Sequence, residues 1–341
     1  MIEGKRVLIT GGGGFIGVSL AERLAPHNQV VLFDRDFSAN AWAYAGLAGH
    51  PHIHLVEGDI LDLPQVSRVA QGVHIVLHTA AVVGVQEVIH NPLRTLEVNY
   101  QGTANILKAM AHASACQRFV FFSTSEVYGP QAPQVREDAD IFLPSARDAR
   151  WAYCISKVAG EHLALAYCQQ MGLPVVVVRP FNIFGPRRVG DYALLRFILH
   201  ALRGDALEVY GDGTQIRAWC YIDDLCDGVL RCLEAPEAVG QVFNIGNPQN
   251  AVTIYQLAQK VVRLCASSSP ILLRPLEFPD VVVRIPDIGK AQRLLGFTPR
   301  VGLEEGLVRT IAWVQEHLPR LGHALASRPS PSAGPGTLEN G

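Results

Sequence analysis

The sequence predicts an α/β fold: a Rossmann-type doubly wound parallel sheet with a smaller C-terminal α/β lobe. Two observations carry this expectation. Short apolar runs alternate with helical stretches through the first 180 residues, the rhythm of parallel strands joined by crossover helices. Between the first such run and the first helix stands a glycine-rich turn, Thr10-Gly11-Gly12-Gly13-Gly14-Phe15-Ile16-Gly17, the pattern of a phosphate-binding strand-to-helix turn.

Residues 5–10 form a short apolar run ending in glycines, as a buried parallel strand does. A helical pattern follows to Leu24, and Pro26-His27-Asn28 breaks it. Gln29-Val30-Val31-Leu32-Phe33 reads as the next strand and ends at Asp34. Further strands are expected at 53–56, 74–78, 118–123 and 174–179, and helices near 64–71, 92–113 and 151–171. After Arg179-Pro180 the rhythm changes. Glycine, proline and charge become denser through 185–219, with short helices expected near 223–234, 253–265 and 287–295. The expected division is a cofactor-binding domain over 1–180 and a substrate lobe over 181–317, with some crossing of the chain between them. Residues 321–341 offer few apolar side chains for packing and are expected to be disordered.

At 341 residues the chain can bury a large core. A net charge of −2 gives no reason to expect a nucleic-acid footprint or a polybasic membrane patch. No apolar run approaches membrane-spanning length, and Met1-Ile2-Glu3-Gly4-Lys5 leads into a strand without a signal-peptide profile. Seven cysteines without a C-x-x-C pair suit a reducing cytoplasm, with Cys226 and Cys232 as small buried groups on a helix. The twelve scattered histidines suggest no metal site.

Within the glycine-rich turn, Gly11, Gly14 and Gly17 allow the tight turn, the approach of a pyrophosphate and close helix–sheet packing, with Phe15 and Ile16 opening the helix. Asp34 is placed to accept hydrogen bonds from ribose hydroxyls and to repel a 2′-phosphate, favouring NAD over NADP. The neighbouring Arg35 leaves NADP open. Asp59, in Gly58-Asp59-Ile60, is placed to meet an adenine amino group or to cap a turn. In His78-Thr79-Ala80-Ala81, the small Ala80 and Ala81 leave room for a flat cofactor at a strand end. Ile60, Asn99 and Pro180 complete the candidate cofactor contacts.

Two segments carry the chemistry. Ser123-Thr124-Ser125-Glu126-Val127-Tyr128-Gly129 places hydroxyls and a carboxylate at a strand end, and Tyr153-Cys154-Ile155-Ser156-Lys157 places a phenol and an ammonium one helical turn apart. A phenol titrating near 10 is a weak base at neutral pH, and a nearby cation lowers its pKa. The expected roles are Thr124 as hydrogen-bond partner of a reacting hydroxyl, Tyr153 as general base, and Lys157 as the cation that lowers the Tyr153 pKa and holds a ribose. A bare Tyr–Lys spacing also describes an ordinary helix surface pair. Its position after the glycine-rich fold and before Arg179-Pro180-Phe181-Asn182 favours the functional reading.

On these residues the chain, from 4 to about 317, resembles an extended short-chain dehydrogenase/reductase of the nucleotide-sugar epimerase, dehydratase and decarboxylase family. The resemblance implies NAD bound by the N-terminal domain, a nucleoside-diphosphate sugar on the C-terminal lobe, and oxidation at the sugar C4 with return of the hydride. It implies substrate contacts by Asn182, by Arg187 or Arg188, by Tyr210 and by Arg217, the last in Tyr210-Gly211-Asp212-Gly213-Thr214-Gln215-Ile216-Arg217. It also implies a homodimer through helices 92–113 and 151–171, whose Leu107, Leu163 and Leu165 equally suit burial against the sheet.

Thr124-Ser125-Glu126 bears on which reaction follows. A 4,6-dehydratase of this family uses an Asp-Glu pair after the threonine, and here the first position is Ser125, a poor acid. The triplet, with Arg150-Trp151-Ala152-Tyr153 and Asn244-Ile245-Gly246-Asn247-Pro248, is similar to UDP-glucuronate decarboxylases. In that reading Glu126 and Arg217 manage the carboxylate and proton transfer, with Ser125 assisting. In a UDP-sugar 4-epimerase Glu126 is idle or structural. A short Arg187–Tyr192 loop and the Val82-Val83-Gly84-Val85-Gln86-Glu87 segment depart from the decarboxylase pattern. An NAD-binding regulatory or scaffold protein of the same fold is the non-enzyme alternative.

Overall fold

The computed structural model describes residues 2–38, 40–111, 113–276 and 280–326, with side chains through Leu321. Seven parallel strands form the central sheet: β1 (Arg6–Thr10), β2 (Gln29–Asp34), β3 (Ile53–Glu57), β4 (Ile75–His78), β5 (Arg118–Phe122), β6 (Val175–Pro180) and β7 (Val242–Ile245), in spatial order 7-6-5-4-1-2-3. Alternate side chains enter opposite layers, as the pleat requires. Val7 and Ile9 pack into one core with Val30, Leu32, Val120 and Val176, while Leu8 packs into the other with Val31, Phe33, Phe119 and Val175. Burial on both faces explains why these strands read as unbroken apolar runs.

Helix α1 (Phe15–Leu24) lies against the first core, and α2 (Leu63–Val69), α3 (Gly102–Ala111) and α4 (Ala152–Met171) against the second. Because β1 leads to β2 on one side and β4 lies on the other, the crevice at their C-terminal ends is a topological switch point, the place where open α/β sheets bind ligands. Thr10, Gly11 and Ala80 stand there.

A mixed four-stranded sheet orders Ala251–Thr253, Ile216–Ala218, Val283–Pro286 and Gln131–Val135. Gln131–Val135 comes from before residue 180, whereas β7 comes from after it. Asn244 locks β7 in place: its N–H donates to Glu137, and its amide donates to the Val135 and Asp287 carbonyls and accepts from the Tyr128 hydroxyl. Beside it, Arg179 and Glu161 form a buried bidentate pair at 2.7 and 2.9 Å.

The structure departs from the sequence reading in three places. The helix expected over 92–113 is interrupted by a π-turn at Glu97–Gln101 before α3 begins, so that Asn99 faces inward. Residues 193–203, to which the sequence reading assigned no element, form α5 (Ala193–Arg203), which buries Leu194, Leu195, Phe197, Ile198 and Leu199 and ends at the left-handed Gly204. The segment from Leu321, expected to be disordered, begins inside the last helix, Leu303–Ala326, because Leu321 is buried on the same face as Val314 and Leu307. Residues 327–341, also expected to be disordered, lie outside the described residues.

Candidate active site

The glycine-rich turn is shaped by contacts that a side chain would destroy. Gly11 has φ +69°, and a Cβ there would sit 2.7 Å from the Ala80 nitrogen; a Cβ on Gly17 would sit 2.5 Å from the Gly11 carbonyl. Gly14, the N-cap of α1, brings no side chain to the helix end. That leaves a backbone cradle able to face a pyrophosphate. Phe15 and Ile16 are partly buried against the first core. Asp34 accepts the Gly13 N–H at 2.9 Å and the Arg35 N–H at 2.7 Å. Burial raises the Asp34 pKa, against those two hydrogen bonds. Asp59 accepts the Leu61 N–H and lies 4.0 Å from Arg35, while Ile60 is buried against Gly102. The cradle, the acidic strand end and the small Ala80 and Ala81 suit a dinucleotide.

His78, behind this turn, shares hydrogen bonds with Thr10 at 2.7 Å and Thr103 at 3.0 Å. Burial, then the Lys157 charge, lowers its pKa from 6.5 to about 3. The fold therefore holds the neutral ring, so its contribution is fully present above pH 6.5 and is lost as pH falls toward 3. The expected loss is about 1.4 kcal/mol per pH unit below 6.5. Denaturant titrations at pH 7 and 5 check it: the native chain should lose more stability than His78→Asn, and equal losses would contradict the assignment.

Beyond β5, the Thr124 hydroxyl caps the short turn Ser125–Tyr128 by accepting the Glu126 N–H, and it lies beside the Tyr153 phenol. Burial, then the Glu126 charge, raises the Tyr153 pKa, while Thr124 opposes the rise. Lys157 was expected to pull that pKa down. Its ammonium donates to the Phe122 carbonyl at 2.7 Å and lies 5.9 Å from the Tyr153 ring centre. Burial brings the Lys157 pKa itself down to about 7. The π-turn aims Asn99 at this helix: its amide donates to Ser156 at 3.0 Å, and the Ser156 hydroxyl donates to the Tyr153 carbonyl at 2.7 Å.

Glu126 is the centre of an arginine cluster. Arg150 grips it with two bonds, at 2.9 and 3.3 Å, and Arg284 lies 4.0 Å away. Burial pushes the Glu126 carboxyl up, but Arg150 and Arg284, with a further contribution from Arg217, override it and leave the pKa below its usual value. Arg217 is paired with Asp280 at 3.1 Å. Arg150, Arg217 and Arg284 therefore face two carboxylates, Glu126 and Asp280, and an anionic group would complete the charge balance. Ser125 is buried one residue before Glu126.

Asn182 has φ +41°, a left-handed conformation that asparagine tolerates better than most residues. Its amide donates to the Ala218 carbonyl. It lines a cavity of about 130 Å³ with Arg188, Tyr192, Trp219 and Trp313. Among the described residues the Trp219 indole N–H has no partner. Arg188 bonds the Ile183 carbonyl and lies 4.0 Å from the Tyr192 ring centre. Arg187 reaches away to Glu22, and Pro180 ends β6. Tyr210 is 42% exposed, faces Arg196 and does not line this cavity.

Sequence reasoning gave Arg284 and Asp280 no role and quoted Arg150 only within a likeness. Arg284 had a legible signal, a lone charge inside the apolar run Val281-Val282-Val283-Arg284-Ile285. Arg150 stood three residues before Tyr153, on the same turn of chain.

A dinucleotide cradle beside a Thr–Tyr–Lys group and a ring of arginines defines an NAD-dependent enzyme that modifies nucleotide sugars. Residues 7–246 match the NAD dependent epimerase/dehydratase family, and the chain belongs to it. It is 37% identical to the UDP-N-acetyl-alpha-D-glucosaminuronate decarboxylase of Bacillus cytotoxicus, over 92% of this chain and 98% of that protein. It is 36% identical to UDP-glucuronic acid decarboxylase 1 of Danio rerio, over 92% of this chain and 73% of that one. Among solved structures, the UDP-glucuronic acid 4-epimerase of Bacillus cereus, in complex with UDP-glucuronic acid and NAD, superposes with a TM-score of 0.84 at 28% identity, covering 91% of this chain and 99% of that one.

Proposed function

We propose that the chain decarboxylates a UDP-linked uronate, UDP-glucuronate or a close analogue, through a 4-keto intermediate. The observation that carries this reading is Glu126, held ionised by Arg150 beside Tyr153. Tyr153 takes the proton of the sugar C4 hydroxyl, and Thr124 orients that hydroxyl. Bound NAD supplies the hydride acceptor and donor, and its oxidised ring adds a positive charge that favours the phenolate. Lys157 and Asn99 hold the Tyr153 helix in register, with Lys157 placed to meet the ribose. Arg217 and Arg284 hold the anionic substrate. A 4-keto uronate is a β-keto acid, so its carboxylate can leave as neutral carbon dioxide. The anionic Glu126 disfavours a second carboxylate beside it more than it disfavours that neutral product. Solvent water then supplies the proton taken up at C5, with Ser125 and the ionised Glu126 orienting it.

The similarity to the Bacillus cereus 4-epimerase favours a second reading, inversion at C4 with the carboxylate retained. Incubation with UDP-glucuronate and NAD separates the two by product mass. Loss of one carbon dioxide supports the first reading, and unchanged mass with inverted C4 replaces it with the second.

Residues 1–180 are assigned to the cofactor, and 181–317, with Asn182, Arg188, Tyr210 and Arg217, to the sugar nucleotide. Seven free thiols, four of them buried, suit a reducing cytoplasm. Among the described residues no helix is long and apolar enough to cross a membrane. Homodimerisation is assigned to the face carrying Leu93, Leu96 and Tyr100, exposed by 68%, 37% and 44%. Leu107 is wholly buried in the second core, and Leu163 and Leu165 pack against it. Sedimentation at micromolar concentration should give a dimer that Leu93→Asp shifts to monomer; a native monomer would refute it.

A further inference from the structure

The last helix touches both ligand regions. After Asp34 the chain folds back over the glycine-rich turn: the Trp42 N–H donates to the Gly13 carbonyl at 3.0 Å, and the Asn40 amide lies where a Cβ on Gly13 would fall. The short turn Ala41–Tyr44 is then gripped by Leu303–Ala326. Tyr44 meets Trp313 edge-on at 5.4 Å and His317 at 5.5 Å. Arg320 lies 4.4 Å from the Tyr44 ring centre and donates to the Ala43 carbonyl. Trp313 and His317 stack at 4.8 Å, so the clasp is one aromatic unit. Trp313 also lines the cavity shared with Asn182, Arg188 and Tyr192.

We propose that Trp313 is a positioning residue that couples NAD retention to occupancy of the substrate side. Ordering the 41–44 turn stiffens Trp313, and a sugar nucleotide seated against the cavity stiffens it from the other face. Each ligand then binds a wall the other has already ordered, and the coupling is reciprocal. Such coupling suits an enzyme that must keep its reduced cofactor until the hydride returns. The sugar half of the proposal rests on the function proposed above; the NAD half does not.

The test is NAD affinity of the full chain by equilibrium dialysis, with and without saturating UDP-glucuronate. UDP-glucuronate should tighten NAD binding about tenfold in the native protein. Trp313→Ala should weaken NAD about tenfold without sugar and abolish the tightening, with its melting transition still cooperative. Trp313→Phe should restore both. NAD affinity unchanged in Trp313→Ala would overturn the proposal, as would tightening that survives the substitution. Failure of the native protein to bind UDP-glucuronate would remove the substrate reading and the coupling, and weakened NAD binding in Trp313→Ala would then support the clasp alone.

Discussion

Tyr153→Phe is expected to lower turnover by about 10³-fold, the usual worth of a positioned proton-transfer group, while NAD remains bound. The phenol has Thr124 at one side and Glu126 nearby, and no other phenol–hydroxyl pair is assigned this proton transfer. Removing one oxygen leaves the ring to pack as before, so the cradle from Gly11 to Gly17 and its Asp34 contact are untouched. The measurement pairs turnover of UDP-glucuronate with cofactor content. Retained activity would remove Tyr153 from the mechanism, and lost NAD would assign it to binding instead.

Glu126→Gln should produce the second large effect. The substitution removes the negative charge from a site where Arg150 and Arg284 are each 4% exposed, leaving buried cations without their counter-charge. Breaking such a pair costs about 3–5 kcal/mol, and the remaining amide hydrogen bond places glutamine near the lower end. Loss of carbon dioxide should slow about 10²-fold, whereas oxidation at C4 should continue. The same charge raises the Tyr153 pKa. Its removal lowers that pKa, so the acid limb of the C4-oxidation rate should move to lower pH. Full decarboxylation with an unmoved profile would make Glu126 structural.

The parts of the fold legible in the sequence are those with local causes. Strands β1 and β6 are buried on both faces, so Val7-Leu8-Ile9 and Val175-Val176-Val177-Val178 carry no polar interruption. Gly11, Gly17 and Asp34 punctuate them where the backbone needs glycine or an acceptor. The parts that escaped depend on distant partners. Strand β7 is interrupted by Asn244, buried only because Glu137, Tyr128, Val135 and Asp287 satisfy it from far along the chain. Helix α5 is bracketed by Gly190 and Gly204 within a glycine-, proline- and charge-rich stretch, which masked a strongly amphipathic run. The π-turn needs Asn99 to find Val82 and Ser156, which no window around residue 99 reveals. At the site, the closeness of Tyr153 and Lys157 follows from their spacing on one helix. The grip of Arg150 and Arg284 on Glu126 does not, because it joins three elements that meet only in the fold.

The most direct test follows deuterium placed at C4 of UDP-glucuronate during turnover with NAD. The account predicts that the label stays at C4 of the sugar product, removed and returned within one active site, and that Tyr153→Phe blocks the reaction. Product formed without NAD, or label lost to solvent while turnover proceeds, would contradict it.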